Sequence, residues 1–215
     1  NMKKLMNVDA SDVTAVRDAN NNLLAFEIKG NLPLGIRATG TLNVEAGGNV
    51  SVAGRKDATE HSAIKVGTIN ATNNSAKGNV RLYSEKGIYN ATNVNTTNIR
   101  ANNLTLAGGK ESIGEENKPL TVSLTGDLTE ARADKDVFIK NMNNSDYLRL
   151  GAMFAGNTIS VTSEKGFKMS SANSGIAESY IQAGKTLVFD TNKTTGIVGE
   201  AGNAIRILND RAPVN

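Results

Sequence analysis

Short runs that alternate apolar and polar residues recur along nearly the whole chain. Leu42-Asn43-Val44, Val50-Ser51-Val52, Ile64-Lys65-Val66, Val80-Arg81-Leu82 and Leu104-Thr105-Leu106 set the pattern. It continues in Leu120-Thr121-Val122, Val137-Phe138-Ile139, Leu148-Arg149-Leu150, Ile159-Ser160-Val161, Leu187-Val188-Phe189 and Ile205-Arg206-Ile207. Period two is the period of a β-strand, whose successive side chains point to opposite faces. Gly47-Gly48-Asn49, Gly78-Asn79, Gly108-Gly109, Gly126-Asp127 and Gly202-Asn203 stand between the runs. Those residues tolerate the positive φ of tight corners. Strands this short are not stable as isolated hairpins. Stacked coil upon coil they are, because each strand then pairs with the coil above and the coil below. The expected fold is therefore all-β, a parallel β-helix running through residues 1–215. At roughly 20 residues per coil the chain would hold about ten coils. With about 4.8 Å between coils, they would extend about 48 Å. Val13 to Ile28 reads as strand-turn-strand around Asn20-Asn21-Asn22, since three Asn make a poor helix interior.

A longer period overlies the short one. Asn31-Leu32-Pro33-Leu34-Gly35-Ile36 and Asn117-Lys118-Pro119-Leu120-Thr121-Val122 stand 86 residues apart, and Asn203-Ala204-Ile205-Arg206-Ile207 begins 86 further on. Ile64–Ala71 aligns with Leu148–Ala155 at an offset of 84, and Ser84-Glu85-Lys86-Gly87 recurs as Ser163-Glu164-Lys165-Gly166. The units are 31–116, 117–202 and a partial third copy, 203–208. A string of immunoglobulin-like sandwiches would also suit such a period. It would need longer strands and an aromatic core anchor, and aromatics are only 4% of this chain.

Composition excludes several chemistries. Cys is absent, which removes disulfides, thiolate metal ligands and thiol nucleophiles. His61 is the single histidine, so a multi-histidine zinc site is excluded, and no triad pattern surrounds it. It reads as a solvated residue of the charged turn Arg55 to Glu60. Asp134 and Asp136 are two carboxylates where calcium takes six to eight oxygens; they read as a turn before a strand. No cofactor or metal is expected. Lys65, Arg81, Arg149, Lys168 and Arg206 stand mid-run between apolar neighbours, which points them outward. There they either solvate the face or bind acidic glycans. Acid/base glycan hydrolysis needs clustered carboxylates, and no two Asp or Glu share a run at spacing two. Eight N-x-Ser/Thr triplets begin at Asn49, Asn70, Asn73, Asn90, Asn95, Asn103, Asn143 and Asn192. They are either glycosylation acceptors or the ordinary yield of a chain with 28 Asn. Gly108-Gly109-Lys110 is no P-loop, because no helix pattern follows it. Tyr83, Tyr89, Tyr147 and Tyr180 are not interleaved with a basic run, so nucleic acid is not expected as a partner. No apolar run approaches the roughly 18 residues of a membrane span.

The phrase Ser112-Ile113-Gly114-Glu115-Glu116-Asn117-Lys118-Pro119-Leu120-Thr121-Val122 resembles the "SIG…NPL.V" phrase of filamentous-haemagglutinin-like exoproteins, with Lys118 interrupting the Asn-Pro pair. Val198-Gly199-Glu200-Ala201-Gly202-Asn203-Ala204-Ile205-Arg206-Ile207 is a second version. Asp136–Ile139 with Asn157–Val161 resembles the family's intervening coils. The resemblance spans about residues 31 to 208. It implies a right-handed parallel β-helix in a large protein secreted by Gram-negative bacteria, either free or at the outer surface. It further implies an adhesive or stalk role in virulence, with a host-cell glycan or protein as partner and no catalysis. Asn1 to Leu5 has lysines but no apolar stretch after them, so the chain reads as a segment of a longer protein. A β-helical polysaccharide-processing enzyme is the alternative reading, and a trimeric spike a third. An open last coil would favour end-to-end self-association. The stretch 209–215 reads as too short and polar to cover that coil, whereas Met2, Leu5 and Met6 would partly cover the other end.

Overall fold

The computed structural model describes residues 13–17, 23–28, 34–36, 40–54, 63–72, 77–170 and 180–208, the first three stretches by their backbone. Every regular element among them is a strand. β1 (Val13–Arg17) and β2 (Leu23–Ile28) form an antiparallel pair, as the reading of Val13 to Ile28 expected. All other strands belong to two parallel sheets.

One sheet takes β3 (Leu34–Ile36), β5 (Val50–Gly54), β7 (Val80–Tyr83), β10 (Leu104–Ala107), β12 (Asp127–Ala133), β14 (Leu148–Ala155), β16 (Gly166–Met169), β17 (Ile181–Ala183) and β19 (Ile197–Val198). The other takes β4 (Thr41–Glu45), β6 (Ile64–Asn70), β8 (Ile88–Asn90), β9 (Ile99–Ala101), β11 (Leu120–Leu124), β13 (Val137–Asn141), β15 (Thr158–Thr162) and β18 (Thr186–Asp190). The chain crosses from one sheet to the other and back in each coil, so the molecule is a parallel β-solenoid.

Its levels are fewer than the ten expected. In the second sheet one column runs Thr41, Lys65, Tyr89, Gly114, Phe138, Ser160, Val188, set by the pairings of β4, β6, β8, Ile113, β13, β15 and β18. Successive members lie 22 to 28 residues apart, because loops are inserted into the coils. Six steps of about 4.8 Å give an axial length of about 29 Å for this column. The long period spans an odd number of half-coils, with a consequence for its copies. Ile64–Asn70 lies in the eight-stranded sheet and its counterpart Leu148–Ala155 in the nine-stranded one. Ser84–Gly87 leaves the nine-stranded sheet and Ser163–Gly166 leaves the eight-stranded one, yet both make the same corner. In each the serine is fully buried and the glycine has positive φ, 91° and 109°.

The core is the set of inward rows. Val80, Leu104, Leu128, Leu150 and Val66, Ile99, Val122, Ile159, Val161 are completely buried. Burial alternates along β7 and β10, as the period-two runs require. Corners are held by side chains that imitate a strand. The Asn49 carboxamide oxygen accepts the Asn79 N–H at 2.9 Å, Asn79 accepts the Asn103 N–H at 3.1 Å, and Asn103 accepts the Asp127 N–H at 2.8 Å. Each side chain thus pairs a backbone donor of the next coil.

Where a coil carries an insertion, a buried amide repairs the ladder. Strand β6 pairs with β8 along its first half and β9 along its second, and 91–98 bulges out between them. Asn98, fully buried, donates its NH2 to the carbonyls of Val66 (3.1 Å) and Gly67 (2.9 Å), and its oxygen accepts the Thr121 N–H at 3.0 Å. The Val66 carbonyl also accepts the Ala91 N–H at 2.8 Å; left unpaired, the Gly67 carbonyl would carry a desolvation cost. No buried polar side-chain atom among the described residues lacks a partner.

The register makes a sharp prediction. Val161→Asp puts a carboxylate into a completely buried row and should cost about 3 kcal/mol or more. Lys65→Ala alters an exposed residue four strands from Val161 in the same sheet and should stay within about 0.5 kcal/mol. Denaturant titration of both variants checks this, and equal losses would contradict the inside-outside assignment.

Candidate functional site

The outward charged residues do not share one environment. Arg149 is half-buried, with its Nη2 2.9 Å from Asp146 Oδ2. Lys168 sits beside it on the paired strand; its Nζ lies 2.5 Å from Glu200 Oε2 and 4.3 Å from the Tyr147 ring centroid. Burial pushes the Asp146 carboxyl up, but the Tyr147 N–H and the Arg149 guanidinium outweigh it and hold that carboxyl below its usual value. The Glu200 carboxylate raises Lys168 in the same way. Lys135 pairs with Glu111 and Lys193 with Glu164, and Arg132 contacts Glu130. Lys65 is exposed on β6. Arg206, expected mid-strand, is half-buried next to Ile207, which makes only an isolated bridge to Ile181.

Arg81 shares with Lys65 and Arg100 an exposed mid-strand position without an ion pair among the described residues. It projects from the middle of β7, and among the described residues no carboxylate pairs with it. Its cross-strand neighbours are the hydroxyl residues Ser51 on β5 and Thr105 on β10. Two residues along the same face stands Tyr83, 45% exposed, with Ala53 and Ala107 as its cross-strand neighbours. Small methyl groups on both sides leave the tyrosine ring standing above the sheet. A cavity of about 280 Å³ adjoins Arg81 and is lined by Asn49, Val50, Ser51 and Asn79. The carboxamide oxygens of Asn49 and Asn79 are committed to the corner ladder, which leaves their NH2 groups to serve a ligand. The alternation around Leu82 was enough to place Arg81 outside. That Tyr83 shares its face follows from the same alternation, but the flanking alanines come from strands 30 and 24 residues away.

The other sequence candidates resolve into structural roles or lie elsewhere. His61 and the charged turn around it lie outside the described residues, as do Asn73, Met2, Leu5, Met6 and 209–215. Asp134 and Asp136 form the turn before β13, and the Asp136 Oδ1 accepts the Thr158 N–H at 3.0 Å. No group of three potential metal ligands occurs among the described residues. Several N-x-Ser/Thr triplets are local turns. Asn90 accepts both the N–H (2.7 Å) and the hydroxyl (2.9 Å) of Thr92, donates to the Pro119 carbonyl and is 4% exposed. Asn70 holds Thr72 in the same way, and Asn143 accepts the Ser145 N–H. Asn-x-Thr is thus a corner-forming unit in this chain. The two family-like phrases form matching tight turns. Gly114 and Gly199 have positive φ, and the turns that follow close with Glu115 bridged to Lys118 and Glu200 to Asn203.

Comparison with protein-family models, with curated proteins and with solved structures finds no match for this chain.

The Asp146 environment predicts a pH dependence of known sign. A carboxyl held below its unfolded value stabilises the fold above that value, and the contribution disappears as pH falls through the folded one. The melting temperature of Asp146→Asn should therefore fall short of the unaltered protein at neutral pH. The gap should close as pH drops below the ordinary value of 3.8. A gap that widens toward acid would contradict the assignment.

Proposed function

We propose that this chain is a structural and adhesive segment of a bacterial exoprotein that is secreted or displayed at the outer surface, and that it carries no catalysis of its own. The observation that supports this most is the uninterrupted stack of aliphatic rows from Val50 to Ile181, with every coil hydrogen-bonded to the next. Such a stack transmits position along its axis while its outer faces stay free to vary. The resemblance of the 112–122 and 198–207 phrases to filamentous-haemagglutinin-like exoproteins adds to it. So does the pairing of outward carboxylates such as Asp146, Glu111 and Glu200 with basic side chains, an arrangement that solvates a face. In this reading the solenoid is a stiff spacer and its outer faces meet a host-surface glycan or protein.

The last described level supports a further contact within the same reading. Val188, Ile197, Val198, Ile207 and Leu208 are all between 37% and 54% exposed. A second copy stacked there would cover them, giving end-to-end association.

Beads coated with the folded chain should adhere to host epithelial cells under flow, and beads coated with the heat-denatured chain should not. Incubation with acidic polysaccharides should release no new reducing ends, and sedimentation should show assembly as concentration rises. Equal adhesion of both bead types would contradict the adhesive role, and enzymatic release of reducing ends would contradict the non-catalytic one. A monomer at millimolar concentration would contradict end-to-end association.

A further inference from the structure

We infer that the patch around Arg81 and Tyr83 is a binding site for a carboxylated saccharide, a chain containing uronic acid units. The inference rests on the adhesive reading above and gives it a place and a ligand chemistry.

Arg81 is a guanidinium on an open sheet face without a carboxylate partner among the described residues, whereas Arg132, Lys135, Arg149, Lys168 and Lys193 all have one. A guanidinium presents a planar fork of donors that matches a carboxylate two bonds at a time. The groups beside it are neutral and hydrogen-bonding: the hydroxyls of Ser51 and Thr105 across the strands, and the amides of Asn49 and Asn79 lining the cavity. That set suits a ligand bearing one acidic group among many hydroxyls. It does not suit a phosphodiester chain, which needs a track of cations along its backbone.

Tyr83 supplies the second half of the site. Residues two apart on one strand stand about 6.6 Å from each other along the strand. The exposed ring therefore lies within reach of a sugar whose acidic group is held by Arg81. Ala53 and Ala107 keep both sides of the ring clear, so its apolar face is available to the C–H face of a pyranose. The solenoid holds every group in place. Ser51, Arg81 and Thr105 are locked in cross-strand register, and Asn49 and Asn79 are fixed by the corner ladder. The open face admits the interior of a long chain as well as its end.

Calorimetry of the whole chain with an oligogalacturonate hexamer, its methyl ester and neutral maltohexaose tests the inference. The hexamer should bind, and the ester and the neutral sugar should bind at least about tenfold more weakly, as expected when a charged hydrogen bond is lost. Arg81→Ala should weaken binding by about tenfold or more, with Arg81→Lys between it and the unaltered protein. Tyr83→Ala should weaken binding by about tenfold through loss of the ring face. Lys193→Ala, toward the other end of the solenoid and paired with Glu164, should leave the affinity unchanged. All three positions are exposed, and unchanged melting temperatures show that the variants fold.

Undiminished binding by both Arg81→Ala and Tyr83→Ala would overturn the site. So would failure of the hexamer to bind, or tighter binding of maltohexaose. A sulfated hexasaccharide that binds at least tenfold more tightly than the uronate would overturn the carboxylate assignment. None of these outcomes touches the adhesive reading, which stands or falls on bead adhesion. If the hexamer is bound and cleaved, the site is supported and the non-catalytic reading fails.

Discussion

Everything in this structure depends on one constraint: no strand can close its own hydrogen bonds. Strands such as β8, β9 and β17 are three residues long and have no stability alone. Each borrows it from the coil before and the coil after. Inward side chains must therefore repeat from coil to coil, since a polar residue would face the same row above and below. The corners must also place a donor or acceptor at a fixed height, which explains the ladder through Asn49, Asn79 and Asn103. The Asn-rich composition is a corner requirement.

The same constraint separates core from surface more sharply than in a globular enzyme. Inward positions have no freedom, whereas outward positions have almost complete freedom so long as the face stays soluble. Part of the outward charge is spent on pairs such as Arg149–Asp146 and Lys168–Glu200. What sets Arg81 apart from other cations unpaired among the described residues, such as Lys65 and Arg100, is the raised tyrosine ring two residues along its face. The insertions obey the rule too. The 91–98 bulge is tolerated because Asn98 supplies a donor to the Gly67 carbonyl and adds a second one to Val66, whose carbonyl also accepts the Ala91 N–H. A loop can thus be added to one coil without disturbing its neighbours, which is how a solenoid acquires surface features.

Much of this was legible in the chain. Alternation around Asn43, Ser51, Arg81 and Thr105 placed strands and their inward residues, and Gly-Asn pairs marked corners. Coil number was not legible, because insertions such as 91–98 and 114–119 look like further strand-and-corner text until the pairing of β6 with both β8 and β9 is seen. Nor was the half-coil offset of the long period. A segment such as Ser163–Gly166 reads the same whichever sheet it leaves. The Arg81 patch was half legible: the arginine's outward direction followed from period two. Its isolation from carboxylates and the alanines around Tyr83 depend on cross-strand register, which local sequence does not state. The N-x-Thr triplets carried the reverse difficulty, since a corner turn and a glycan acceptor share one pattern.

The central claim is that coils stack in the register described, and distances between spin labels along one column test it most directly. The chain has no cysteine, so paired substitutions label cleanly. Labels at Lys65 and Ser160 are four levels apart and should give about 19 Å; labels at Thr41 and Val188 are six levels apart and should give about 29 Å, by the spacing of parallel strands. A separation that grows by about 10 Å between the two pairs is the signature of stacked coils. Equal separations, or a longer distance for the inner pair, would contradict the solenoid.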